Sequence, residues 1–92
     1  MPKFVIERSI PGASKLSAAE LHGISAKSNS VLRELGPDVQ WVQSYVAADK
    51  IYCVYNAKDA EIVREHARRG GFPADLIAKV AAVIDPITGE PT

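Results

Sequence analysis

The sequence predicts an α+β fold, a single-domain β-α-β-β-α-β split sandwich whose antiparallel sheet carries two helices on one face. Three observations predict it. Residues 39–55, VQWVQSYVAADKIYCVY, join two runs rich in Val, Ile, Tyr and Trp across a polar tip at Asp49-Lys50, with no room for a helix between them. A helix-like segment lies on each side of this hairpin, and one more apolar strand-like run lies beyond each helix.

Lys3 to Arg8 (KFVIER) form the first strand, and Pro11-Gly12 breaks it into a loop. Ser17 is placed to cap the first helix, because Glu20 follows three residues later and completes a reciprocal capping box on the orphan amides. Leu21, Ile24, Ser28, Val31, Leu32 and Leu35 recur at steps of three and four, so one stripe faces the sheet until Gly36-Pro37 ends the helix. The second helix begins near Asn56 to Asp59, turns Ile62, Val63, His66 and Ala67 inward, and closes at Arg68-Arg69-Gly70-Gly71. Cations suit the negative helix end, and glycine tolerates a left-handed terminus. Pro73 is expected to open a short helical turn to about Ile77, and Lys79 to Asp85 (KVAAVID) read as the last strand, stopped by Pro86.

The 92 residues form one domain, with a core over residues 2–85 and a polar tail over 86–92. A chain of this size buries only roughly 60 to 65% of the surface its unfolded form exposes, which is thin for a monomer. Eleven basic and eleven acidic residues balance, so no excess positive charge points to nucleic acid or to an acidic membrane surface. No apolar segment reaches the roughly 20 residues of a membrane span. The opening MPKFVIERS lacks the pattern of a secretory leader, and a lone cysteine, Cys53, forms no internal disulfide. Cytoplasmic residence is the resulting expectation.

In this topology the first and third strands take the centre and both helices cover one face, leaving the other bare. Strict alternation would group Val39, Trp41, Gln43 and Tyr45 against Gln40, Val42, Ser44 and Val46, and would separate Ile51, Cys53 and Tyr55 from Tyr52 and Val54. Every face then carries large apolar groups. The uncovered face is expected to bury itself against a second copy, with Trp41 and at least one of Tyr45 and Tyr52 as anchors beside Gln43. A loop or the C-terminal tail covering that face is the alternative.

The chemistry-bearing residues are few. His66 falls on the inward stripe of the second helix, Cys53 lies in a central strand, and Glu7 interrupts an otherwise apolar strand. Imidazole, thiolate and carboxylate together suit a divalent transition metal such as nickel, zinc or copper, although no C-x-x-C or H-x-x-x-H spacing is present. Each also has a structural reading: a satisfied core histidine, a small buried hydrophobe, and an ion-pair partner for Arg8 of a neighbouring chain or for Lys50. His22 falls one position off the apolar stripe and is expected to be accessible. Arg64, Arg68 and Arg69 read as a solvated edge paired with Glu61 and Glu65. An alternative function is a small enzyme or small-molecule-binding module, with His66 and Glu7 at a pocket walled by Trp41 and tyrosines. No nucleophile elbow or phosphate-cradling loop supports a particular reaction.

The segments MPKFVIERSIPGA, LRELGPDVQWVQSYV, DKIYCVY and REHARRGGFPADLI, in this order and spacing, resemble the small ferredoxin-like nickel-responsive proteins, long catalogued as a family of unknown function. The resemblance runs from Pro2 to about Asp85. It implies a ferredoxin-like subunit, a homodimer, and nickel binding near the dimer surface for sequestration or detoxification. His66 and Cys53 are the residues of the matching segments whose chemistry suits the metal, and His22 is the exposed candidate for a site shared between subunits.

Overall fold

In the computed structural model, which describes residues 1–91, the chain forms a four-stranded antiparallel sheet with two α-helices. The last residue of the expected tail, Thr92, lies outside the described residues. The strands are β1 (Lys3–Ser9), β2 (Val39–Val46), β3 (Lys50–Ala57) and β4 (Leu76–Lys79), and they lie in the order β2-β3-β1-β4. β1 and β3 therefore hold the centre, as the alternation of elements predicts. The helices are α1 (Ala18–Leu35) and α2 (Ala60–Gly70).

Local chemistry sets the helix ends. Ser17 Oγ accepts from the Glu20 amide at 3.1 Å while Glu20 Oε1 accepts from the Ser17 amide at 2.9 Å, closing the capping box. Such a cap contributes about 1 kcal/mol. Asp59 caps α2 by accepting from the Ile62 amide at 3.0 Å. Gly71 ends α2 at φ 70°, where a side chain would be strained. Gly70 has a different duty: a Cβ there would collide with the Phe72 ring.

One face of the sheet carries Phe4, Ile6 and Arg8 from β1 beside Ile51, Cys53, Tyr55 and Ala57 from β3, all buried. The helices pack on this face and on each other, with Val63, His66 and Ala67 of α2 and Ser28 and Val31 of α1 buried between the layers. Ile6 and Val63 are fully buried, and each contributes roughly 1.5–3 kcal/mol relative to exposure. Val5, Glu7, Tyr52 and Val54 point the other way and are half-buried, while Gln43, Tyr45 and Leu76 on that face are exposed.

Two elements differ from the sequence-based expectation. In β2 the register slips between Trp41 and Gln43, so Val42 is an extra, unpaired residue. Trp41 and Ser44 consequently share the helix-covered face, where Trp41 Nε1 donates to Ser44 Oγ at 2.9 Å, and Gln43 and Tyr45 turn to the uncovered face. Trp41 packs against the core and is no anchor for the uncovered face.

The second difference is the last strand. It spans Leu76–Lys79, not 79–85, and no helical turn follows Pro73. β4 starts opposite Glu7 and runs out of partner at the start of β1, with Val80 donating to the Lys3 carbonyl at 2.8 Å. Residues 81–85 have no neighbouring strand and leave the sheet, ending in a short 3₁₀ turn at Pro86–Gly89. Val83, Ile84 and Ile87 along this arm are more than 70% exposed. Among the described residues no helix is long and apolar enough to cross a membrane.

Candidate functional site

The outward turn of residues at each alternate strand position would normally send an arginine to water. Arg8 does the opposite, because it follows Phe4 and Ile6 at steps of two and so shares their buried face. It is 4% exposed. Its Nε donates to Cys53 Sγ at 3.3 Å, one terminal nitrogen donates to the Pro73 carbonyl at 2.6 Å, and the other donates to the Tyr55 hydroxyl at 3.3 Å. The guanidinium carbon also sits 5.6 Å from the centre of the Phe72 ring, a cation–π contact. Arg8 takes part in none of the ion pairs formed among the described residues.

His66 lies beyond Tyr55, their ring centres 5.2 Å apart, and Phe72 flanks it at 5.7 Å. Its Nε2 is 3.0 Å from Ser28 Oγ, and this bond ties α2 to α1 inside the core. Nδ1 is buried without a partner. We assign the ring proton to Nε2, donating to Ser28, since a bare acceptor is tolerated better than an orphaned N–H. Burial, and next the positive charge of Arg8, hold the His66 pKa down to about 4 against the opposing contact with Ser28, so the imidazole is neutral at pH 7. Burial likewise raises the Tyr55 phenol above its ordinary range and keeps it neutral.

Between α1 and the sheet lies a cavity of about 110 Å³. Leu21 and Ile24 from α1 line it with Val46 and Ile51 from the sheet, as do Arg8, Ser28, Cys53 and Tyr55, and its surface is almost wholly apolar. Trp41 and Ser44 close one side, which the β2 bulge makes possible by bringing both to the inner face.

The residues expected to bind metal are dispersed. Cys53 and His66 are buried on the helix-covered side, whereas Glu7 points to the uncovered face and pairs with Lys50 Nζ at 3.1 Å. His22 is exposed on α1. Among the described residues no three His, Cys, Asp or Glu side chains converge on a point that would hold a metal ion. Trp41 lines the cavity and Glu7 does not, which corrects the expected pocket. The basic edge of α2 is a solvated one, with Arg64 bonded to Glu61, and Arg68 and Arg69 both bonded to Glu65. Those bonds lower the Glu65 pKa and raise that of Arg68.

Arg8 is the residue that the sequence reading passed over. The signal was present in the spacing Phe4-Ile6-Arg8, but arginine at a strand end reads as solvent-facing.

Comparison with known proteins places the molecule. No curated protein sequence matches the chain. The crystal structure of SCO4226 from Streptomyces coelicolor A3(2) superposes with a TM-score of 0.74 at 25% sequence identity, covering 89% of this chain and 99% of that one. The family described as nickel responsive protein SCO4226-like matches residues 4–80, which takes in both helices, the cavity and the four strands apart from Lys3 at the start of β1. The chain therefore belongs to the SCO4226-like nickel-responsive protein family.

Proposed function

We propose that this protein binds Ni2+ as part of a response to excess nickel, and that it works in the cytoplasm as a homodimer with a ferredoxin-like subunit. The observation that carries this reading is the family match over residues 4–80. Imidazole is a suitable nickel ligand, and of the two histidines only His22 is open to solvent. Cys53 and His66 stand on the same side as the Arg8 guanidinium, whose charge repels a divalent cation. The accessible ligands are then His22 and, on the uncovered face, the Glu7 carboxylate. No single chain offers three convergent ligands among its described residues, so a second copy or water completes the coordination shell.

A half-buried apolar sheet face with Val5, Tyr52 and Val54, together with the bare apolar arm carrying Val83 and Ile84, supports self-association. The test is isothermal titration of Ni2+ into tag-free protein at pH 7.5 and pH 5.5, beside His22→Ala and His66→Ala. Saturable binding that weakens at pH 5.5 and is lost in His22→Ala is the expected result. Absence of saturable heat in the wild type would remove the metal-binding reading.

A further inference from the structure

We propose that residues 79–85, KVAAVID, form a strand between two copies of this chain, pairing antiparallel with the same segment of a second copy about a two-fold axis at Ala82. This contact rests on the homodimer reading above, and it falls almost wholly beyond residues 4–80, the stretch that the family match covers.

The segment has the composition of a strand and lacks a neighbour. Val80 donates to the Lys3 carbonyl, where β1 begins, and from Ala81 to Ile84 no backbone amide finds an acceptor among the described residues. Val83 and Ile84 are more than 70% exposed. A β-branched run with unpaired amides, continuing the edge strand of a sheet, is a template for another strand. Backbone groups alternate in direction along a strand, and Val80 spends its amide on β1. Extended past Val80, the arm therefore turns the amides and carbonyls of Ala81 and Val83 to the free edge.

Charge selects a second copy as the partner and sets the register. Antiparallel self-pairing centred on Ala82 puts Ala81 against Val83 as a hydrogen-bonded pair, Val80 against Ile84, and Lys79 against Asp85. The two-fold axis makes each of these pairs twice. Neither Lys79 nor Asp85 has an ion-pair partner among the described residues. Parallel pairing would instead set like charges side by side. Asp85 is already extended, at φ −152°, and its backbone is taken up by the turn to Thr88, so the ladder stops there and the lysine meets the carboxylate by its side chain. Oδ1 accepts from Thr88, which leaves Oδ2 for Lys79. Val80, Ala82 and Ile84 fall on the same face as Leu76 and Ala78, so the apolar row of the uncovered sheet face runs on across the axis.

Ala82→Cys and Ile87→Cys in the full chain, oxidised with diamide in EDTA and read on non-reducing gels, test the contact. EDTA removes metal, so the outcome is independent of nickel binding. Both positions are exposed, and the native Cys53 is buried. At the axis the two Cα atoms of a non-hydrogen-bonded pair stand about 4.5 Å apart, within disulfide reach, whereas the two copies of Ile87 lie at opposite ends of the ribbon. Ala82→Cys is expected to cross-link about ten-fold or more faster than Ile87→Cys. In sedimentation equilibrium, Lys79→Asp is expected to weaken the dimer about five-fold, and Lys79→Asp combined with Asp85→Lys to restore it. A dimer that cross-links equally at both positions, or that the double reversal leaves as weak as Lys79→Asp, would overturn the arm pairing and leave the homodimer standing. A wild-type protein that sediments as a monomer at every concentration would overturn both.

Discussion

Ser28 of α1 and His66 of α2 meet at 3.0 Å in the core, the one side-chain hydrogen bond among the described residues that joins the two helices across the buried layer. Removing the hydroxyl takes from His66 Nε2 its side-chain partner, and Nδ1 already has none. Ser28→Ala is expected to destabilise the fold by about 1–3 kcal/mol. Chemical denaturation with an unchanged slope is the measurement, and an unaltered midpoint would mean that the bond contributes nothing net.

The same histidine makes stability depend on pH. Its folded pKa, about 4, lies below the unfolded value of 6.5, so the unfolded chain takes up the proton first. The stabilisation is complete above about pH 6.5 and is lost as pH falls through 4, an effect of up to about 3 kcal/mol. His66→Gln should flatten the stability profile in that window. A profile as steep as wild type would assign the acid sensitivity to other groups.

Arg8 gives a prediction of the opposite sign from an ordinary core residue. Replacing an unpaired buried charge with an apolar side chain of similar length relieves desolvation, so Arg8→Met is expected to be neutral or more stable by about 1–2 kcal/mol. Thermal unfolding in metal-free buffer reads this directly. A loss of several degrees would show that the bonds to Cys53, Pro73 and Tyr55 outweigh the cost of burying the charge.

Gly70 and Phe72 are in direct contact, with no space for a methyl group between them. Gly70→Ala must push the ring away from His66 and Arg8, and overpacking of this kind costs typically about 1–3 kcal/mol. The near-UV circular dichroism of the aromatic cluster should change along with the unfolding midpoint. Helix propensity alone would make the substitution stabilising, so the sign decides.

Much of the fold was legible from the sequence because its signals are local. The capping box of Ser17 and Glu20, the inward stripe Val63-His66-Ala67 and the alternation Ile51-Cys53-Tyr55 each stand in the structure as the spacing predicts. The β2 bulge was not legible, since WVQS carries no glycine or proline to mark an extra residue. That one residue moved Gln43 and Tyr45 to the opposite face from Trp41. The last strand was misplaced because KVAAVID is richer in β-branched residues than LIAK, while pairing is limited by the length of β1. The cavity depends on where α1 settles over the bulged strand, a tertiary fact with no counterpart in spacing.

The proposed metal site rests on accessible imidazole and not on the buried thiol beside Arg8, and X-ray absorption at the nickel edge of the Ni2+-loaded protein separates the two. A first shell of nitrogen and oxygen, with the outer-shell scattering of imidazole that disappears in His22→Ala, is the predicted result. A sulfur scatterer in the first shell would contradict it, placing the metal at Cys53 in spite of the guanidinium 3.3 Å away.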